Sequence, residues 1–260
     1  MNKLVISDND ILKQLDESIK TKENKKLSDV VSLSIKIQKS TDLQIECTST
    51  SLKKIEIYIN VSNKVNANIH EIKKGKFKIQ YKYYLEKEST LKVYKFNDVK
   101  DIKELSIVNL NGEKSKFYYT LKTISKTNEK YDLMIYHKAR ESESEINNIG
   151  VTLMDGTLNF NVSGFVPNNV KKCILNQNNR IINLSNNACC IKPNLFIDEE
   201  DVIANHSAFI GKFNDDELFY LMSRGISKKD AKNLLVKGLL LKNMNIYKNK
   251  IEEKINECWR

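Results

Sequence analysis

Few residues in this chain could do chemistry. There are three histidines, His70, His137 and His206, and five cysteines, Cys47, Cys173, Cys189, Cys190 and Cys258. Imidazole and thiolate are the side chains that hold iron and zinc. No two cysteines form a CxxC pair and their number is odd, so neither a zinc ribbon nor a disulfide framework is indicated. The expectation is reduced thiols, mostly buried as small apolar residues. HExxH, GxSxG, Walker A and GxGxxG patterns are absent. The acidic cluster Asp198-Glu199-Glu200-Asp201 could in principle supply the acid–base pair of a β-helix carbohydrate-active enzyme. Neighbours in sequence do not provide the opposed geometry that glycoside chemistry requires. A charged turn closing the strand of Leu195 and Ile197 is the expected reading.

Those groups need a scaffold, and the composition bounds it. With 260 residues, 40% hydrophobic and 29% charged, the chain suits one large packed domain with appendages and is not disordered throughout. Only 8 Gly and 2 Pro exclude collagen-like and Pro- or Gly-rich linker designs. The formal charge of +10 admits a nucleic-acid-binding module or a lysine-coated surface. Lysines alternate with apolar residues, as in Lys76-Phe77-Lys78-Ile79, no long basic block occurs, and arginine is scarce, which favours the coat and no nucleic acid. The start of the chain lacks an apolar signal region, and no apolar run approaches the roughly 18 residues needed to span a bilayer. A soluble cytoplasmic protein with no membrane partner is expected.

Three zones can be read. Ser7 and Asp10 make an S-x-x-D start, and Ile11, Leu12, Leu15 and Ile19 share a helical face, predicting a short N-terminal helix and a polar loop over 20–26. From about residue 29 to 201 the period is two: Ile35 and Ile37, then Ile55, Ile57 and Ile59, then Phe77, Ile79, Tyr81 and Tyr83, and on through Leu133, Ile135, Leu158, Phe160 and Val162. These are short half-buried strands with no helix between them, which rules against a doubly wound fold. A sandwich, a barrel or a β-solenoid remains. Asn-Gly and Asp-Gly turns are few, whereas Asn-rich stretches such as Asn147-Asn148, Asn168-Asn169 and Asn176 to Asn179 recur. Asn tolerates left-handed backbone, so it is expected at the corners in place of Gly. No strict repeat period emerges, which leaves the sandwich open beside the solenoid.

The third zone is helical. Asn214 can cap a helix with Asp215-Asp216-Glu217 in its first turn and Leu218, Leu221 and Met222 beneath. Gly225 stands at the stop. Ser227 can cap a second helix over Ala231, Leu234, Leu235 and Leu239, and a last helix over about 243–258 carries Tyr247, Ile251, Ile255 and Trp259.

The stretch from Ile191 to Leu240 resembles the C-terminal signature of the SufB/SufD family of iron–sulfur cluster assembly proteins. Lys192-Pro193, Leu195, Ile197, Asp201-Val202, His206, Ala208, Gly211, Leu218 to Leu221, Ser223 to Ser227 and Ala231 match its strand, turn and L-F-Y-L-x-S-R-G-I-S parts. Tyr136-His137 with Ser144, and Gln177 to Arg180 with Leu184-Ser185, fit more weakly, so the likeness covers about residues 131–241. It implies a right-handed parallel β-helix with a small C-terminal helical domain. Residues 1–28 then form the N-terminal helix and linker, 29–212 the β-helix and 213–260 the docking domain.

By this resemblance the chain is a non-enzymatic scaffold. Its C-terminal helices dock a SufC-like ABC ATPase, and it pairs with a SufB-like paralogue or a second copy of itself. The docking residues implied are Phe219, Tyr220, Ser223, Arg224, Gly225, Ile226, Ala231 and Leu235, with Phe219 expected in the core and Arg224 nearer the partner. His206 corresponds to an interface histidine of the SufD branch, an implied ligand of a transient iron–sulfur cluster. No nucleotide is expected on this chain. Asn178 stands where the SufB branch has a cysteine, Ser207 replaces the glycine after the histidine, and Ala204 or Asn205 replaces the preceding cysteine. The chain is also shorter than typical members, so it looks like a reduced SufD-type subunit.

Overall fold

In Lys54–Val61 every second side chain is buried: Ile55, Ile57, Ile59 and Val61 face inward while Glu56, Tyr58 and Asn60 face outward. One buried face per strand forces such strands to stack around a common interior. The computed structural model describes residues 2–8, 10–25, 30–50 and 54–259. Its strands are β1 (Asn2–Ile6), β2 (Ile11–Gln14), β3 (Ile19–Lys25), β4 (Val30–Ile37), β5 (Thr41–Ser49), β6 (Lys54–Val61), β7 (Asn66–Leu85), β8 (Thr90–Leu110), β9 (Lys116–Ser125), β10 (Asn128–His137), β11 (Glu143–Thr152), β12 (Thr157–Val166), β13 (Cys173–Asn183), β14 (Cys190–Ile197) and β15 (Val202–Gly211). Helices α1 (Asp215–Ser223), α2 (Lys228–Leu241) and α3 (Lys248–Cys258) follow, with a 3-10 turn at Asn245–Tyr247 before the last.

The strands wind into a β-solenoid of about seven turns. One parallel sheet runs β1, β5, the first half of β7, the first half of β8, β9, β11, β13, β15. The other runs β4, β6, the second halves of β7 and β8, β10, β12, β14. Strands β7 and β8 serve both sheets by bending at the corner, where the β7–β8 register shifts between Gly75 and Lys76. Gly75 has φ +115°, and a Cβ there would stand 1.8 Å from the Ser49 carbonyl oxygen, so the corner needs glycine. At the N-terminal end β2 and β3 close the sheets by antiparallel pairing. At the other end, among the described residues, β14 and β15 each have a strand on one side only.

Three expectations are corrected. The helix predicted from Ser7 is a hairpin. Ser7 and Asp10 do bond as the motif requires, with the Asp10 N–H donating to Ser7 Oγ at 3.1 Å. However, the Ser7 N–H also donates to the Asp10 carbonyl at 2.9 Å, which turns the chain back into β2, and Leu12 is left exposed. The loop predicted over 20–26 is largely strand β3; residue 26 lies outside the described residues. The left-handed corners are held by Asn only at Asn169, at φ 69°; most are held by charged residues. Lys64, Glu88, Lys114, Glu141 and Lys172 occupy them at φ 55–60°. Each donates its N–H to the next turn, to the carbonyls of Lys87, Glu113, Arg140, Lys171 and Asp201 respectively, and that ladder offsets the backbone strain. The side chains alternate in sign along the stack, and Lys64–Glu88, Lys87–Glu113, Lys114–Glu141 and Arg140–Glu113 form ion pairs. Asn lies mostly within strands, in amide ladders such as Asn148–Asn179 at 2.8 Å.

The helices fold back over the outer side of the first sheet. Phe96, Ile124, Val151 and Ile182 point outward there and form one apolar cluster with Leu218, Ala231, Val236, Leu240, Tyr247, Ile251 and Ile255. Burying each of the Leu, Ile, Val and Phe side chains contributes on the order of 1.5–3 kcal/mol. The Tyr247 hydroxyl donates to the His70 carbonyl at 3.3 Å, and Lys250 pairs with Glu46 at 3.0 Å. Among the described residues, no helix is long and apolar enough to cross a membrane.

Candidate functional site

Local caps set the α1–α2 elbow. Asn214 accepts from the Asp216 N–H, and Asp215, Asp216 and Glu217 fill the first turn of α1, where a carboxylate suits the helix dipole. At the other end Gly225, at φ +85°, donates to Met222 O at 3.0 Å while Ile226 donates to Leu221 O at 3.3 Å. This pair of bonds is a Schellman stop. Ser227 then caps α2 by accepting from the Asp230 N–H at 3.1 Å. The elbow is therefore held by its own caps and backbone bonds.

What it presents differs from expectation. Leu218 is the buried residue of α1, whereas Phe219 is 74% exposed and Tyr220 59% exposed. Phe219 is not core: Leu218 takes the inward position, and its neighbour points to solvent. Arg224 stacks on Tyr220, its guanidinium 5.4 Å from the ring centroid, and Ser223 Oγ donates to the Tyr220 carbonyl at 2.8 Å. Ala231 is fully buried and Leu235 half-buried against the same cluster, so these two brace the helices from beneath. Met222 and Leu234, both substantially exposed, join Phe219 and Tyr220 as outward apolar residues. Neither was singled out for docking from sequence, although both lie on the helical stripes it marked.

His206 lies on β15 opposite Gln177 of β13, exposed, in an open hollow of about 460 Å³ with Asn147, Asn176, Asn178 and Ser207. An amide ladder runs past it. Ser207 Oγ donates to Asn178 Oδ1 at 2.9 Å, and Asn178 Nδ2 donates to Asn147 Oδ1 at 3.4 Å. Among the described residues, no group of three or more His, Cys, Asp or Glu side chains is gathered as a metal would need. The cysteines are all free, Cys47 and Cys173 buried and Cys189, Cys190 and Cys258 half-buried. His206 and its surroundings offer one imidazole and amides on an open strand edge. Beside it, Phe196, Ile203, Phe209 and Ile210 of β14 and β15 are exposed.

The acidic cluster is the turn between β14 and β15. Glu199 Oε2 accepts from the Asn169 N–H at 2.9 Å and Oε1 from the Asp201 N–H at 3.3 Å. Glu199 is thus spent on the turn itself.

The most charged interior feature went unread in the sequence. Glu71 and Lys73 of β7 and Lys95 and Glu104 of β8 face inward, at most 3% exposed. They close a ring: Lys73 lies 2.9 Å from Glu71 and 3.1 Å from Glu104, and Lys95 lies 3.3 Å and 2.7 Å from the same two. Tyr119 and Ser106 each donate to Glu104 at 3.1 Å, Tyr81 donates to Glu71, and Lys95 sits 3.4 Å from the Tyr81 ring centroid. Burial pushes the Glu104 carboxyl up, but the ammonium groups of Lys73 and Lys95 outweigh it and hold it at about 2. The signal was available: residues 67, 69, 71 and 73 share one parity, and Ala67 and Ile69 are core.

Two further polar clusters follow along the interior. Glu129 accepts from Thr123 and from Tyr131, each at 2.7 Å; burial, which those bonds only partly counter, raises its carboxyl to about 7. His137 lies 2.7 Å from Ser142 Oγ and 2.9 Å from Ser144 Oγ, and burial lowers its imidazole to about 3. Cys173 stands 3.4 Å from the same Ser142 with its thiol raised, chiefly by burial. Histidine and cysteine are thus both neutral, which fits a structural chain of hydrogen bonds and not an activated thiolate.

Comparison with known proteins bears on these features. The family model described as SUF system FeS cluster assembly, SufBD core domain, matches residues 27–239. The iron–sulfur cluster assembly protein SufD of Bacillus subtilis (strain 168) is 34% identical over 154 residues, covering 57% of this chain and 35% of that protein. The SufD of Escherichia coli (strain K12) is 42% identical over 45 residues, covering 17% of this chain and 11% of its own length. A SufBD family protein of Pyrococcus horikoshii is 50% identical over 44 residues, covering 17% and 9%. The matched part thus spans about a third of the first relative and less of the others.

Proposed function

Because the chain belongs to the SufB/SufD family of the SUF iron–sulfur cluster assembly system, we propose that it acts as a SufD-like, non-catalytic scaffold subunit of such a complex. The observation that carries this reading is the α1–α2 elbow, where Phe219, Tyr220 and Met222 stand exposed on a helix fixed by its own caps. A rigid apolar knob beside a cation favours a protein groove, since little side-chain freedom is lost on docking. The partner proposed is a SufC-like ABC ATPase.

The second contact is the open end of the solenoid. Edge strands offer unpaired backbone groups to another chain, and β14 and β15 flank theirs with Phe196, Ile203 and Phe209. A SufB-like paralogue or a second copy pairs here. The iron–sulfur cluster is cargo at that pairing: His206 contributes one ligand and the partner supplies the rest. ATP hydrolysis in the ATPase shifts α1 and α2, and their contacts with the first sheet carry the shift to the solenoid.

Co-expression with candidate SUF subunits followed by affinity purification tests the reading. An ABC-type ATPase retained on the chain supports it; its absence refutes it. For His206, anaerobic iron–sulfide reconstitution of the complex carrying His206→Ala should give reduced cluster loading, and unchanged loading removes the residue from the site.

A further inference from the structure

The two corners of the solenoid treat their lysines in opposite ways. Along the left-handed corner the charges alternate and pair, as Lys64–Glu88 and Lys114–Glu141 do. At the other corner, where β5, β7, β8 and β9 end or bend, Lys74, Lys76, Lys100 and Lys126 line a cleft of about 440 Å³. Among the described residues none of these four forms an ion pair with a carboxylate. The fifth lysine of the cleft, Lys254 of α3, is already paired with Asp98 at 2.6 Å. Unpaired like charges on neighbouring turns repel, and this fold has shown that it can interleave them with glutamates.

The floor of the cleft is apolar, formed by Val99 and Ile124, both buried. Its volume falls in the range of small-molecule sites, roughly 300–1,000 Å³. Lysine binds phosphate as a point charge and needs no fixed fork geometry. A column of ammonium groups without carboxylate partners, Lys126 bonding the Cys258 thiol, over an apolar floor matches a ligand with phosphates at one end and a flat organic body at the other. We infer, against the expectation that this chain takes no nucleotide, that this corner cleft binds a soluble organic phosphate. The site requires neither the ATPase nor the cluster, and it lies where α3 meets the solenoid, so an occupant would sit against the Lys254–Asp98 pair.

The test is equilibrium dialysis of the purified chain against ATP and, separately, inorganic tripolyphosphate, in metal-free buffer at low ionic strength. ATP should bind at one saturable site and more tightly than tripolyphosphate. Lys76→Gln/Lys100→Gln should weaken ATP by at least about tenfold. Lys87→Gln/Lys114→Gln removes the same charge from the other corner and should leave affinity within about twofold. Lys126→Gln alone should act in the direction of the first pair and stands in if that pair does not fold. Equal losses in both double variants would mean diffuse attraction to a basic surface and overturn the assignment. Unchanged affinity in the corner variants overturns it too. Tripolyphosphate binding as tightly as ATP would refute a role for the apolar floor, and with it an organic ligand.

Discussion

Lys122 of β9 donates from its ammonium to the Leu239 carbonyl, 3.0 Å away at the C-terminal end of α2, and also to the Lys242 carbonyl. The last carbonyls of a helix lack partners within it and carry the negative end of its dipole. A lysine from the sheet supplies both the donors and the charge, and so ties the helical layer to the solenoid.

Lys122→Met should keep the packing of the stem and strip away that tie. The expected loss is about 1–2 kcal/mol in urea unfolding, with amide exchange rising most around residues 239–242. A uniform rise across the chain would contradict a local latch.

The buried ring makes a prediction of sign. Lys95→Met leaves Glu71 and Glu104 sharing Lys73 alone and should cost roughly 3–5 kcal/mol, because a buried charge is left without compensation. Adding Glu71→Gln to that variant restores neutrality. The double variant should therefore be more stable than Lys95→Met, although each change alone destabilises. Additive losses in thermal or urea unfolding would show that the four groups do not act as one ring.

Glu129 fixes a pH dependence. Its folded carboxyl, at about 7, lies above its ordinary value of 4.5. The folded protein thus holds a proton that the unfolded chain has already lost between those two values. Stability from this group is fully present below pH 4.5, declines from there to about 7, and stays reduced above it. Glu129→Gln should remove that dependence. Its stability advantage should grow with pH across the window, towards about 3 kcal/mol, and then level off. An advantage that is flat with pH would contradict a protonated Glu129.

Much of the fold was legible. The alternation of Ile55, Ile57 and Ile59 gave a strand with the correct inward face, and Asn214, Gly225 and Ser227 marked helix boundaries that the structure keeps. What escaped did so for physical reasons. The solenoid repeat is irregular, with neighbours 24 residues apart at Asn63–Lys87 and 31 apart at Asn148–Asn179, so no fixed period could surface. The Ser7–Asp10 contact serves a hairpin as well as a helix start. Glu71 and Lys95 went unread because the ring closes only when Lys73–Glu104 and Glu71–Lys95 pair across adjacent turns. Phe219 and Leu218 are neighbours of similar hydropathy, and only the packing of α1 on the sheet decides which one faces in.

The most direct test of the proposed scaffold role is the affinity of this chain for a SufC-like ATPase, measured by isothermal titration with and without Phe219→Ala/Tyr220→Ala. Both side chains are largely exposed, so the variant's melting temperature should stay close to that of the parent. Binding should weaken by about a hundredfold or more, as for the central residues of an interface. An affinity equal to the parent's, in a protein equally stable, would contradict docking through this elbow.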